Sequence, residues 1–191
     1  MTALSTQGPH PLADRLIARY REAALTGPVL EVCSGSGRST RALEAAGLTV
    51  VATSDDDPYT QLPGSRNSYA AALSTHGYLH GRTDKVRAGF GELRRVLRAG
   101  APIFVTLGSI KDARFGFGQE VDERTFAAGD GPEKGIPHAF FERAAIPDVM
   151  RGFTIESLEE LKVDEVVGRW AHGPLEKGLY HWFVIATKDK S

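Results

Sequence analysis

The chain has 191 residues, of which 41% are hydrophobic and 25% charged, a composition typical of one soluble globular domain. Its net charge of −1 gives no electrostatic reason to expect a nucleic acid or a membrane surface as a partner. The single cysteine, Cys33, excludes an internal disulfide and a cysteine-ligated zinc site, and no apolar run approaches the ~18 residues of a membrane span. We expect a cytoplasmic protein with a loose arm over residues 1–10 and one domain over 11–191.

The first part of the chain alternates helices with strands. Apolar side chains recur at helical spacing after Pro11, which predicts a first helix that ends at Gly27-Pro28. The elements that follow are predicted, in chain order, as a strand over 28–32, a helix over 39–47, a second strand over 48–54 and a third over 68–74.

The second part begins with an apolar stripe of Val86, Phe90, Leu93 and Leu97, which predicts a helix that ends before Gly100. The remaining elements are predicted as a central strand over 101–109, a long loop over 109–137, a helix around 140–150 and two closing strands over 154–166 and 178–188. This order indicates an α/β sandwich with a mostly parallel sheet and a C-terminal antiparallel hairpin.

A glycine turn follows the first strand, in the stretch E-V-C-S-G-S-G over 31–37. Glycine at the carboxyl end of a strand lets the backbone approach a ligand without a Cβ in the way. The turn is not a phosphate-binding loop, because Arg38 follows Gly37 where that motif has lysine, and it is not a dinucleotide fingerprint, because Thr40 stands where the third glycine is needed.

The acid, the glycines, the element order and the closing hairpin resemble the class I S-adenosylmethionine-dependent methyltransferases over about residues 11–188. The resemblance implies that S-adenosylmethionine is the cofactor. It also implies that Glu31 engages the methionine ammonium, directly or through water, while the turn passes beneath the cofactor. The cofactor-binding residues that it implies are Glu31, Cys33, Ser34, Gly35, Ser36, Gly37, Asp55 and Thr75.

The sequence departs from that family in three ways. Cys33 stands where many members have the first glycine. A gapless count places Ser54 at the acid that holds the ribose hydroxyls, with Asp55 one position later. Only residues 56–68 separate Asp55 from the next strand, whereas a βαβ unit takes roughly 30 residues, so we expect one helix–strand unit to be missing.

Candidates for the reacting groups follow the later strands. His76 comes just past a strand end, where a general base would meet the acceptor, and His80 would share its face if the turn is helical. No nearby third ligand stands out, so no metal site is predicted. Arg114 and His138 could orient a polar or anionic substrate. The alternative for each of these residues is an ordinary structural role.

Three functional hypotheses remain open. The first is a methyltransferase that acts on a small-molecule acceptor, with His76, His138 and Arg114 as candidate catalytic residues. The second is a methyltransferase-like enzyme that catalyses a cyclisation, elimination or isomerisation without methyl transfer. The third is a non-catalytic binding partner in which Phe115, Phe117 and Trp170 form an interface. An oligomer is possible under each hypothesis.

Overall fold

The computed structural model describes residues 8–131, 133–163 and 178–190; Trp170 and the end of the predicted strand over 154–166 lie outside these ranges. The helices and strands are α1 (Pro11–Glu22), β1 (Val29–Glu31), α2 (Arg38–Ala45), β2 (Val50–Ala52), β3 (Ala71–Ser74), α3 (Thr83–Val96), β4 (Pro102–Ser109), β5 (Gln119–Asp122), β6 (Thr125–Ala127), β7 (Pro137–Phe141), α4 (Ile146–Val149), β8 (Phe153–Lys162) and β9 (Tyr180–Lys188). No helix among the described residues is long and apolar enough to cross a lipid bilayer.

The main sheet is parallel in its first half and antiparallel in its last two strands. Strands β2, β1, β3 and β4 lie side by side and run in parallel, and β9 pairs antiparallel with both β4 and β8. The predicted α/β sandwich with a mostly parallel sheet and a C-terminal hairpin is therefore confirmed.

Alternate strand residues face two different helical layers, as the two-residue period of a strand requires. Val29 and Phe104 pack on the face that α1 and α2 cover. Leu30 and Val105, their chain neighbours, pack on the opposite face with α3 and α4. All four side chains are essentially inaccessible to solvent, which explains why these strands appear in the sequence as continuous apolar runs.

The described chain has no helix or strand between Ala52 and Ala71, so the predicted absence of one helix–strand unit is confirmed. The segment over 53–70 instead packs against α3. Tyr59 and Leu62 are buried in the core on that side. The Arg95 guanidinium of α3 donates to the backbone carbonyl oxygens of Leu62 and Gly64 at 2.8 and 2.9 Å.

Two predictions for the later part of the chain are wrong. The stretch over 109–137 is not one loop, because it contains the β5–β6 hairpin and begins β7. The helix predicted around 140–150 is also wrong at its start, because Phe140 and Phe141 belong to β7 and pair with Gly108 and Ser109 of β4. Only the single turn α4 within that range is helical in the α sense.

The predicted N-terminal arm is described only at residues 8–10. There His10 is fully buried, its Nδ1 accepts a hydrogen bond from the Leu12 amide at 3.1 Å, and its ring lies 5.0 Å from that of Phe183. His10 thus caps α1 and belongs to the packed body of the domain.

Candidate active site

The glycine turn crosses the carboxyl edge of the sheet between β1 and α2. Cys33, Gly35 and Gly37 all have left-handed backbone conformations, with φ of +55°, +55° and +69°. This conformation is easy for glycine and costs roughly 1 kcal/mol or more at a residue with a Cβ, so Cys33 holds it under strain. A Cβ on Gly35 would point towards the carboxylate of Asp55, 3.6 Å from its Oδ2.

Asp55 faces this turn from the end of β2. Its Oδ1 accepts a hydrogen bond from the Gly35 amide at 3.1 Å. Ser54, the residue at the gapless family position, instead bonds within its own loop, where its amide donates to Asp57 Oδ2 at 2.7 Å. The structure therefore places Asp55, and not Ser54, opposite the turn.

Two adjoining clefts open along this edge of the sheet, with volumes of about 240 and 180 Å³. The first, here the turn cleft, is lined by Cys33, Ser34, Gly35, Ser36, Arg38, Ser39, Asp55, Thr75, His76, His80 and Glu133. The second, here the side cleft, is lined by Cys33, Asp55, Asp56, Asp57, Pro58, Tyr59, His76, Gly77, His80 and Lys85. The clefts share Cys33, Asp55, His76 and His80, so an elongated ligand can span both.

Glu31 lies behind the turn cleft rather than in its wall. The side chain is 2% exposed, and its Oε2 accepts a hydrogen bond from Thr40 Oγ1 at 2.5 Å. Burial raises the pKa of this carboxyl group from 4.5 to about 7, and the Thr40 hydroxyl and the nearby Arg38 guanidinium oppose the rise. Glu31 is therefore a carboxyl group that changes charge near neutral pH.

The Cys33 side chain closes the floor between the turn and the residues after β3. A Cβ on Gly77 would lie 2.8 Å from Cys33 Sγ, so this close approach requires glycine at position 77. Burial raises the pKa of the Cys33 thiol to about 12. The group therefore stays a neutral thiol at physiological pH and is no nucleophile.

Three side chains converge at the far end of the turn cleft, next to the residues that follow β3. His138 of β7 is 4% exposed, and its Nε2 lies 3.1 Å from Glu133 Oε2. His80 Nε2 lies 3.5 Å from the other oxygen, Glu133 Oε1. In their protonated forms, the imidazoles of His138 and His80 hold the pKa of Glu133 well below its usual range, so Glu133 is then a carboxylate.

A larger depression of about 360 Å³ lies elsewhere, between α3 and the β5–β6 hairpin. The charged groups along it pair with one another or with near neighbours: Arg87 Nη2 lies 2.9 Å from Asp148, and Arg124 Nη2 lies 2.9 Å from Glu142. It contains neither the glycine turn nor a histidine, so the two adjoining clefts are the better candidate site.

Comparison with known proteins supports this architecture through structure alone. No protein-family model and no curated protein sequence matches the chain. Among solved structures, an S-adenosylmethionine-dependent methyltransferase from Methanosarcina mazei aligns over 96% of this chain and 100% of its own, with a TM-score of 0.67 and 14% identity. The 1,6-didemethyltoxoflavin-N1-methyltransferase of Burkholderia thailandensis aligns over 94% of this chain and 79% of its own, with a TM-score of 0.64 and 16% identity. The chain has the class I methyltransferase fold.

The same fold also occurs in an enzyme of a different activity. The (4+2)-cyclase SpnF aligns over 93% of this chain and 82% of its own, with a TM-score of 0.56 and 17% identity. The methyltransferase fold therefore determines the architecture of the site but not the reaction that takes place there.

Within this methyltransferase fold, most of the predicted cofactor residues come together. The members of the predicted set that line the turn cleft are Cys33, Ser34, Gly35, Ser36, Asp55 and Thr75. Gly37 is the N-cap residue of α2, and Glu31 lies behind the wall of the cleft. The residues that sequence analysis did not include are Arg38, Ser39 and Glu133. Arg38 and Ser39 directly follow the glycine turn, so the turn motif could have indicated them. Nothing in the sequence around Glu133 indicates a role for it.

The three predicted catalytic residues do not form one group. His76 lines both clefts, and its Nδ1 lies 3.3 Å from Thr75 Oγ1. His138 sits behind Glu133. Arg114 makes a bidentate contact with the buried carboxylate of Asp112, at 2.8 and 3.0 Å, and so anchors its loop. A substrate-orienting role for Arg114 stays a prediction.

Proposed function

We propose that this chain is an S-adenosylmethionine-dependent methyltransferase that acts on a small-molecule acceptor. The observation that carries the proposal is the Asp55 carboxylate, which is hydrogen-bonded to the Gly35 turn and lines an open cleft with it at the carboxyl edge of a parallel sheet. Ligands of open α/β sheets bind at this edge. Structures of the same fold include several methyltransferases, which supports the assignment.

The residues around the clefts fit the cofactor in chemistry and extent. Asp55 keeps a carboxylate oxygen for hydroxyl groups after Oδ1 has bound the Gly35 amide. Each cleft alone is smaller than the roughly 300 Å³ at which ligand pockets begin, but the two adjoin and share residues. Glu31 would act on an ammonium group from behind Thr40 and Arg38, through its field or through water.

When bound, the cofactor supplies a methyl group on a sulfonium, which a nucleophile can displace. The chain's own contribution is to hold the acceptor in line and to take its proton. His76 is the candidate base, because it lines both clefts and an imidazole titrates near neutral pH. Confining the acceptor beside His76 and His80 would supply most of the acceleration by orientation.

The binding test is a calorimetric titration with S-adenosylmethionine and S-adenosylhomocysteine. We expect saturable binding to the unmodified chain and binding weaker by about 10-fold for Asp55→Asn, since a hydrogen bond to a charged group is worth roughly 1.5–3 kcal/mol. Asp14→Asn is the matched control, because it removes the same charge from an exposed residue that lines neither cleft. No heat at millimolar cofactor, or equal weakening in both variants, would reject the proposal.

A second candidate is a methyltransferase-like enzyme that performs a cyclisation, elimination or isomerisation. Two observations favour it: the Glu31 carboxyl is already bonded to Thr40, and the helix–strand unit between β2 and β3 is absent among the described residues. His76 would then serve as the acid–base group. Failure of the cofactor titration, with the fold intact by circular dichroism, would favour this candidate over the first.

A further inference from the structure

His80, Glu133 and His138 bring their donor atoms close together. One donor atom from each residue lies within 4.8 Å of the other two. His138 Nε2 is 3.1 Å from Glu133 Oε2, and His80 Nε2 is 3.5 Å from Glu133 Oε1. Ligands around a tetrahedral zinc ion, with bonds of about 2.0–2.2 Å, lie about 3.4 Å apart. Each histidine–glutamate contact is therefore close to the spacing of two ligands on one metal ion.

The tautomer of His138 is fixed by its other ring nitrogen. Nδ1 lies 2.9 Å from the Ile136 carbonyl oxygen, which can only accept, so Nδ1 carries a proton. A neutral His138 then presents the Nε2 lone pair towards Glu133. A carbonyl partner on the outer nitrogen is the arrangement that orients metal-binding histidines.

The inner nitrogen of His138 is left without a hydrogen bond. Its Nε2 is buried and, although Glu133 Oε2 is 3.1 Å away, the two atoms lack the alignment of a hydrogen bond. A lone pair and a carboxylate oxygen that face each other repel unless a cation lies between them. A buried polar atom without a partner is costly, so this arrangement calls for either a proton or a metal ion.

The backbone holds the two histidines in place. His80 and His138 form an antiparallel bridge, and the Gly81 amide donates to the Pro137 carbonyl at 2.7 Å. The Tyr59 hydroxyl also donates to the His80 carbonyl. The ligand positions thus rest on hydrogen-bonded backbone from two parts of the chain, which is what a preorganised site needs.

We infer that His80, Glu133 and His138 bind one divalent first-row transition ion of the zinc class. Two imidazoles and one carboxylate suit such ions, whereas Mg²⁺ and Ca²⁺ prefer oxygen ligands. Since His80 and Glu133 line the turn cleft, a coordination position not filled by protein would face that cleft and take a water molecule or an oxygen of the substrate. Arg114 Nη1 lies 3.7 Å from Glu133 Oε2, so its positive charge disfavours a cation at this position. The buried carboxylate of Asp112, which is paired with Arg114, offsets the charge of the guanidinium.

The test is a Zn²⁺ titration of the chelator-treated chain, without cofactor, so that its outcome does not depend on methyl transfer. We expect one Zn²⁺ per chain, no competition from Mg²⁺, and a loss of affinity of about 100-fold in Glu133→Gln and in His80→Ala. Bound Co²⁺ should give visible absorption that both variants lose. His76→Ala is the matched control, because this histidine lines the same cleft but lies outside the donor set.

The alternative is a proton on His138 and a simple ion pair with Glu133. In that case Zn²⁺ binds no better to the unmodified chain than to Glu133→Gln, and the inference is overturned. Equal loss in His76→Ala would overturn it too, because it would mark non-specific binding by histidines. Far-UV circular dichroism on each variant separates loss of the ligand from loss of the fold.

Discussion

Glu31 is a buried carboxyl group, and its surroundings compensate only part of the free-energy cost of burying its charged form. It ends β1, beneath the turn, and its hydrogen bond from Thr40 does not repay the desolvation of the charged form. The same burial that destabilises the empty site would strengthen attraction to a cationic ligand, because charges interact more strongly away from water.

The raised pKa of Glu31 predicts a loss of stability with rising pH. Its folded pKa of about 7 exceeds the ordinary 4.5, so the folded state binds more protons than the unfolded state between these values. This contribution to stability is fully present below pH 4.5 and is lost as pH rises to 7 and above. Glu31→Gln removes the titrating group, so the variant should not lose this contribution. Between pH 5 and pH 8, the unfolding free energy of the unmodified chain should therefore fall by about 2–3 kcal/mol relative to that of the variant.

Urea unfolding at pH 5 and pH 8 measures this shift. Glu22→Gln is the control, since Glu22 is an exposed glutamate at the end of α1 and the same charge is removed. If the unmodified chain and Glu31→Gln change in parallel with pH, Glu31 does not titrate near neutrality and the raised pKa is wrong.

At the scale of elements, the segment over 53–70 replaces a whole helix–strand unit by packing on α3. Arg95 is its main anchor, because it bonds two carbonyl oxygens of the segment and is oriented by Glu92 at 2.8 Å. Glu92 also accepts from the Leu62 amide at 3.0 Å. One ion pair on α3 thus satisfies the backbone of a loop that has no regular structure of its own.

Arg95→Ala is expected to destabilise the fold by about 1–3 kcal/mol, because it removes the donor of the partly buried Leu62 carbonyl oxygen as well as that of the exposed Gly64 carbonyl. Arg87→Ala, on the same helix, is expected to cost no more than about 1 kcal/mol, because the Arg87–Asp148 pair is half exposed. Thermal or urea unfolding of both variants measures the contrast. Equal effects would show that the segment is held by the apolar contacts of Tyr59 and Leu62 alone.

The elements that sequence analysis predicted correctly are those whose burial leaves a pattern along the chain. β1 and β4 are buried on both faces and appear as apolar runs, and α3 shows one apolar stripe. β5 is largely exposed and polar, and it is stabilised by its pairing with β6. It therefore shows no apolar pattern in the sequence. β7 was mistaken for the start of a helix because its apolar run is short.

For the whole molecule, the candidate site is an outcome of topology. Parallel strands end at one edge, so the turn after β1, Asp55 after β2 and His76 after β3 were expected to meet, and they do. Glu133 and His138 reach the same edge through β7, which pairs with the end of β4. No sequence pattern near these residues indicates that pairing, so the close approach of His80, Glu133 and His138 could be identified only from the structure.

Cofactor binding should stabilise the whole domain but slow amide hydrogen exchange only at this edge of the sheet. At a concentration 100 times its Kd, a ligand that binds only the folded state adds about 2.7 kcal/mol, which for a chain of this size raises Tm by about 5–10 °C. S-Adenosylhomocysteine should also slow amide hydrogen exchange over residues 34–37, 53–57 and 75–80, with no change in the distant β8–β9 hairpin near Phe153. A rise in Tm without that local protection would place the ligand elsewhere, and protection without a rise would indicate binding too weak for a cofactor.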